Sequence, residues 1–408
     1  MIKYKRILLN VLWSLFSSLI STGILQLIVH PILARIFSDA EYGDILFVIG
    51  ILNVIILTTG NALGDIRLTE DDKYKKEEIT GDFNNLLSIS SALITLVLLI
   101  FTIYTQEKFT INVLVYWILI SIVGILGVLH SYLNAMFRLK LIFKQLLQVS
   151  ILSSIGYFVG AIFSYFTKMW IFPFLFGYAI TVTYQAKLTQ FYSEPFVWTK
   201  YRNNTLKKYS MLSFSYLIKS SMTYADRFII VPILGPGLLS VYTVAATFGK
   251  LATIAIQPVA NVALGYYAQK DFEMTPKKFW ITNFVTLSAG GIIYIMALLL
   301  SSPFIAIMYP AYIDSASQYI ALANISSVLT AVCAMIQPAI LKYSNVKWQI
   351  YIQMGYGMLI IGLSLMLIEP FGLTGFCYAS IVANVVKLFI MFLIGDRGVR
   401  RINKINAY

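Results

Sequence analysis

The sequence predicts an all-α polytopic membrane protein, with twelve transmembrane helices in two six-helix bundles. Two observations on composition support it. Hydrophobic residues make up 59% of the 408 and charged residues 12%, about half the charged share of a soluble domain, and mean hydropathy is +0.78. Apolar runs near 20 residues recur along the chain, the length a helix needs to cross a bilayer. Outer-membrane strands are instead about ten residues long and alternating, which excludes a barrel. The third observation is where the basic residues fall.

Taken in order, the expected helices are 7–29, 43–64, 83–104, 113–133, 146–166, 169–189, 210–233, 240–263, 280–300, 317–341, 350–368 and 375–394. The first follows the basic start Lys3, Lys5 and Arg6, is too long for a signal-peptide core and ends in no small-residue cleavage site, so it reads as retained. His30-Pro31 ends it. With the N-terminus inside, the cytoplasmic segments hold 24 of the 31 Lys and Arg, and external loops hold only Arg35, Lys108 and Lys168. That asymmetry puts both termini in the cytoplasm. It also makes the excess of +13 topological and argues against a nucleic-acid partner. Cys333 and Cys377 fall within helices, so no disulfide framework is expected.

The loops are short. The polar stretch Asp65 to Asp82 is mixed in sign and reads as a solvated connector. The basic segment Lys187 to Lys208 divides the chain nearly in half and suits anionic lipid headgroups. The expected domains are therefore 1–190, a six-helix bundle; 191–209, a basic cytoplasmic linker; and 210–408, a second six-helix bundle. A shift of 197 residues lays Ile32 to Ile45 on Ile229 to Tyr242 without a gap, each copy joining the first two helices of its half. Six helices per half make this a parallel repeat, whose halves can rock about a central cavity.

The functional candidates centre on Ser213 to Lys250, an apolar stretch carrying Lys219, Asp226, Arg227 and Lys250 around a Gly235-Pro236-Gly237 turn. A charge deep in a bilayer costs several kcal/mol and normally faces the bundle interior or an aqueous pathway. On one continuous helix Lys219, Thr223 and Asp226 form a stripe. At 1.5 Å rise, Lys219, Lys250 and Lys387 lie about 13, 15 and 18 Å from their helix ends, near the middle of a core about 30 Å thick. Three lysines at one level suit an anion, because an ammonium is a compact charge able to follow a moving phosphate. The competing reading is that each is paired within the bundle. Asp226 lies nearer the outer face, within reach of Arg227. Gln257-Pro258 and Gln337-Pro338 are candidate kinks or gates inside helices. Membrane asparagines are by default interhelical glue, and the many tyrosines near helix ends an interfacial belt. No metal-ligand spacing, phosphate loop or nucleophile motif is present, so no enzyme and no cofactor are expected; a coupling ion, proton or sodium, stays open.

The external turn Arg35-Ile-Phe-Ser-Asp-Ala-Glu-Tyr-Gly43, with Asp226-Arg227-Phe-Ile-Ile and Gly235-Pro-Gly…Tyr242 opening the second half, resembles the polysaccharide-biosynthesis flippases. These are the Wzx-type exporters of lipid-linked oligosaccharides, in the superfamily that also holds the multidrug and toxic-compound extruders. The resemblance spans the chain in length, helix number and six-plus-six layout. It implies a V-shaped bundle in a bacterial cytoplasmic membrane, with a central cavity opening alternately to its two faces. The implied substrate is a polyprenyl-diphosphate-linked glycan, such as a capsule or O-antigen repeat unit. The implied partners are membrane lipids and other polysaccharide-assembly membrane proteins. The fourteen-helix peptidoglycan-precursor flippases resemble it less. A cation-coupled multidrug antiporter is the alternative, but it favours acidic residues, and intramembrane charge here runs four basic to one acidic. A membrane polymerase or glycosyltransferase would call for an acidic or histidine cluster beside a sizeable loop.

Overall fold

The computed structural model describes residues 2–76, 79, 81–105, 112–139, 143–267, 274–345 and 347–406. Of these, 2–11, 14, 104–105, 138, 143, 257–258, 261–262, 264–266 and 404–406 are described by main chain only. The described residues are helical almost throughout and contain no strand. They form two compact units, Met1–Arg227 and Phe228–Tyr408.

In unit 1, α1 (Ile2–Ile24) passes through a π turn, Leu25–Val29, into α2 (His30–Ile36). The first span therefore does not end at His30-Pro31, as the sequence suggests. Proline has no N–H for the helical ladder, and the wider turn before it absorbs the gap. Phe37 is extended, and Ser38 and Glu41 then form a capping box. The Ser38 amide donates to Glu41 Oε2 at 2.9 Å and the Glu41 amide to Ser38 Oγ at 3.5 Å, starting α3 (Asp39–Lys76). At 38 residues, α3 is about 57 Å long, so its last turns extend past any bilayer core.

That extension changes the reading of Asp65 to Asp82. Glu70, Asp71 and Asp82 are buried, because the segment after Thr189 packs on them. Arg67 holds Glu194 with two bonds of 2.9 Å and Asp71 with one of 3.2 Å. Lys208 pairs with Glu70. Asp82 accepts from the Thr199 amide at 2.6 Å and from Tyr74 at 2.7 Å. Arg67, Glu70, Asp71 and Asp82 are thus matched within the protein, and this part of the expected solvated connector is a packed latch; Glu77 and Glu78 lie outside the described residues.

The remaining helices of unit 1 are α4 (Phe83–Thr105), α5 (Val113–Leu139), α6 (Phe143–Thr167), α7 (Phe172–Thr189) and α8 (Arg202–Thr223). α6 and α7 form the tightest pair. A methyl group on Gly160 would lie 2.4 Å from the Phe172 carbonyl oxygen, and one on Gly156 2.7 Å from that of Phe176. Small residues four apart let two membrane helices meet backbone to backbone. α8 packs along α3, so the compact unit runs to Arg227, whereas the sequence expectation opens the second bundle at 210.

The expected helix 210–233 is two helices. α8 ends at Thr223, Tyr224 leaves helical geometry, and α9 (Ala225–Leu234) follows across the unit boundary. Gly235 then turns at φ 88°, where a side chain would be strained, and Pro236 opens α10 (Pro236–Ala245) with its φ already helical. Pro236 stands 197 residues after Asp39, the first residue of α3, so the sequence shift that aligns the two halves also aligns these helix starts.

In unit 2, α10 and α11 (Thr247–Tyr267) meet at a 60° bend. No proline causes it. Asn324, fully buried on α14 (Ile320–Tyr343), takes the Gly249 amide at 2.7 Å and donates to the Ala245 carbonyl at 2.9 Å. Both groups belong to the opened turn, so Asn324 satisfies the polar atoms the bend exposes. α12 (Pro276–Met308) and the short α13 (Ile313–Ser317) precede α14. α15 (Lys347–Asn406) is broken at Gly372, φ 56° and ψ −135°, and its two arms carry the last two expected spans.

Among the described residues eight helices are long and apolar enough to cross a membrane, nine if the α10–α11 pair is one span. α7 and α8 fall below that apolarity, and both arms of α15 are within one helix. The chain is a multi-pass membrane protein.

Candidate functional site

Arg227 is the charged candidate that the structure places most deeply. Its side chain is 8% exposed and runs past Gly50 of α3, where a methyl group would come within 2.6 Å of its Cδ. Nη1 donates to the Leu46 carbonyl oxygen, and the guanidinium carbon lies 5.0 Å from the Tyr224 ring centroid. A guanidinium has five N–H donors. One is engaged here, and among the described residues no carboxylate is paired with the group. Asp226 does not bind the guanidinium; its Oδ1 accepts the Arg227 main-chain N–H at 2.9 Å.

Lys219, on α8, is exposed, with its amine 6.0 Å from the Tyr216 ring. The break at Tyr224 separates it from Asp226, so the expected stripe Lys219–Thr223–Asp226 is not one helix face. Thr223 turns back to the Lys219 carbonyl at 3.0 Å.

In unit 2, Lys250 lies one turn past the α10–α11 bend, partly exposed, with its amine 5.3 Å from the Tyr242 ring. Lys387, on the second arm of α15, has its amine 4.5 Å from the Tyr356 ring on the first arm. Among the described residues it has no ion pair. The turn before it carries a buried polar set: Asn384 meets Thr330 at 3.2 Å and Ser326 meets Ser380 at 2.5 Å. These sites differ in kind. Lys387 is an ammonium over an aromatic face, whereas the Asn384 cluster is mutually satisfied glue. Of the kink candidates, Gln337 Nε2 donates to Gln349 Oε1 at 3.1 Å, tying α14 to α15, and Pro338 is buried within α14. Gln257 and Pro258 lie in α11, but their side chains are outside the described residues. Among the described residues no group of three or more His, Cys, Asp or Glu has metal-ligand geometry.

Sequence reasoning singled out Asn61 as an interhelical glue candidate but missed the polar seam inside unit 1 to which it belongs. Ser131 on α5 donates to Asn61 on α3 at 2.7 Å, Thr58 meets Ser220 on α8 at 3.2 Å, and Tyr216 donates to Asp65. His130 and Asn134 on α5 and Gln185 on α7 are also joined. The available signal was helical spacing: Thr58, Asn61 and Asp65 share a face of α3, as do His130 and Asn134 on α5.

No family model matches the chain, and no curated protein matches it. Solved structures do. An inward-facing multidrug resistance MATE family transporter of the MOP superfamily aligns over 95% of this chain and 99% of its own, with a TM-score of 0.71 at 12% identity. A MATE in a bent conformation aligns over 99% and 97%, at 0.65 and 13%. A variant of the Vibrio cholerae MATE transporter VcmN aligns over 97% of each chain, at 0.61 and 13%. The chain has the fold of these transporters.

Proposed function

We propose that the chain is a flippase of this fold that moves a polyprenyl-diphosphate-linked oligosaccharide by alternating access across a bacterial cytoplasmic membrane, with both termini in the cytoplasm. The observation that carries this reading is the sign of the charge in unit 2. Within the spans expected of unit 2 the charged residues are Lys250 and Lys387, with no carboxylate; Lys277, Lys278, Lys342 and Lys347 lie at helix ends outside those spans, Glu369 beside the break of α15 and Asp396 beyond the last span. Lys387 without an ion pair, and Arg227 with one N–H engaged, are cations that keep donors for an anion, and phosphate oxygens are strong acceptors for such groups. Lys219 adds an exposed ammonium. Tyr356 and Tyr224 beside Lys387 and Arg227 are rings of the kind that stack on sugars, whereas Tyr242 beside Lys250 is buried against Phe376.

A multidrug antiporter is the second reading. The similarity to multidrug transporters favours it, and Asp226, with Asp65 in the seam of unit 1, supplies the carboxylates it would use. Deleting the gene separates the two. The flippase reading expects the lipid-linked intermediate to accumulate on the cytoplasmic leaflet and surface polysaccharide to fall. Unchanged intermediates with increased sensitivity to cationic dyes would favour the antiporter.

A further inference from the structure

Three side chains of unit 1 close a ring of hydrogen bonds. His130 Nδ1 lies 3.1 Å from Gln185 Oε1. Gln185 Nε2 donates to Asn134 Oδ1 at 2.9 Å. Asn134 Nδ2 lies 3.1 Å from His130 Nε2. His130 and Asn134 are one turn apart on α5, and Gln185 is fully buried on α7, so two of the three bonds join different helices.

Donor and acceptor counting permits two arrangements around a neutral imidazole, and with the amides oriented as here the hydrogen is on Nδ1. An amide oxygen only accepts, so His130 Nδ1 carries the hydrogen; an amide nitrogen only donates, so Nε2 presents its lone pair. Turning over both amides closes the same ring around the Nε2–H tautomer, so all three contacts are satisfied around a neutral imidazole. A second proton sets an N–H at Nε2 against the Asn134 NH2. Turning the Asn134 amide over gives that N–H an oxygen, but then aims NH2 at the Gln185 NH2. Turning Gln185 as well takes the acceptor from Nδ1. No orientation of the two amides satisfies all three contacts around the imidazolium. With both imidazole N–H groups bonded, the lost contact is Gln185–Asn134, one of the two joining α5 to α7.

The groups that face the ring are neutral. Tyr178 of α7 lies 5.6 Å from the His130 ring centroid, and Tyr157 of α6 stands 6.1 Å behind Tyr178. α3 contributes Asn61, bonded to Ser131. Among the described residues no carboxylate, ammonium or guanidinium from α3, α4, α6 or α7 bonds to or pairs with His130. Nothing nearby compensates a charge, so a proton acts on the ring alone. His130 is partly exposed.

We infer that His130 is a proton-binding site whose protonation opens the three-residue ring and loosens α5 against α7. The inference holds whatever the substrate, since it concerns the packing of unit 1.

The sequence holds two histidines, so a His30→Gln background leaves one. Nitrogen-15 spectra of labelled histidine in the full chain in nanodiscs, from pH 8 to pH 4, read tautomer and proton uptake together. Expected at high pH is a neutral imidazole with one N–H, with loss of its lone-pair nitrogen signal as protons bind. Asn134→Asp is the decisive variant. Its carboxylate accepts from both Nε2–H and Gln185 Nε2, so the ring then closes around the imidazolium. Proton affinity should rise about tenfold or more beside the new negative charge. Hydrogen exchange of the α7 amides around Gln185, compared on either side of the measured midpoint and corrected for intrinsic rate, should speed up on protonation in the parent. In Asn134→Asp it should not. No proton uptake down to pH 4, or equal proton affinity in the two proteins, would each overturn the proposal.

Discussion

Gly160→Val is expected to abolish recovery of folded protein. A Cβ at position 160 meets the Phe172 carbonyl oxygen at 2.4 Å and Pro173 Cα at 2.5 Å. Both are backbone atoms, so no rotamer change relieves the clash, and α6 and α7 must separate. Separation breaks their whole close contact, including Gly177 against the Tyr157 ring. The cost exceeds the about 1–3 kcal/mol of an ordinary overpacked core. Gly160→Ala should already lower the melting temperature. Gly291→Ala and Gly362→Ala, where a Cβ meets nothing within 4 Å, are the controls. Melting of detergent-solubilised protein, followed by fluorescence, reads the series. A Gly160→Val protein melting like the parent would show that α6 and α7 do not touch as described.

Arg67→Ala should destabilise unit 1 by about 3 kcal/mol, the lower end for removing one partner of a buried ion pair. It strands Glu194 and leaves Asp71 with Lys75 at 2.5 Å. The lower end applies because the Glu194 side chain is 24% exposed and can turn to water. Arg67→Lys should recover little, since an ammonium cannot make the two-pronged contact with Glu194. Adding Glu194→Gln to Arg67→Ala should restore part of the loss. Protease cleavage between Phe191 and Tyr201 measures release of the latch. A cleavage rate unchanged in Arg67→Ala would mean the segment is held by other contacts.

Much of the fold is legible in the sequence, because the expected spans rest on apolar runs that a bilayer requires to be helical. The breaks are less legible. Gly235-Pro236 announces its turn through residue types with special backbone preferences. The bend after Ala245 does not, since its cause is Asn324, 75 or more residues away in the chain. The π turn before His30 and the break at Tyr224 likewise depend on neighbours. The latch was misread because charge pairing between Arg67 and Glu194 joins positions 127 apart, whereas sequence spacing reveals only pairs a turn apart, such as Arg67 and Asp71. For the site, single charges in apolar runs stood out. Their partners did not: the Leu46 carbonyl beneath Arg227 and the Tyr356 ring beneath Lys387 carry no mark in the sequence.

The central claim is that the membrane lysines hold an anion. Lys250→Gln, Lys387→Gln and Asp226→Asn, compared in cells at matched protein levels, test it. Removing an intramembrane charge makes insertion easier, so protein in the membrane should not fall. Surface polysaccharide and cytoplasmic-leaflet lipid intermediate are measured together. Each lysine variant should lose about tenfold or more of export, the worth of one charged hydrogen bond, while Asp226→Asn stays mild. Normal export by both lysine variants, with loss of cationic-dye efflux in Asp226→Asn, would contradict the account and move the role from ammonium to carboxylate.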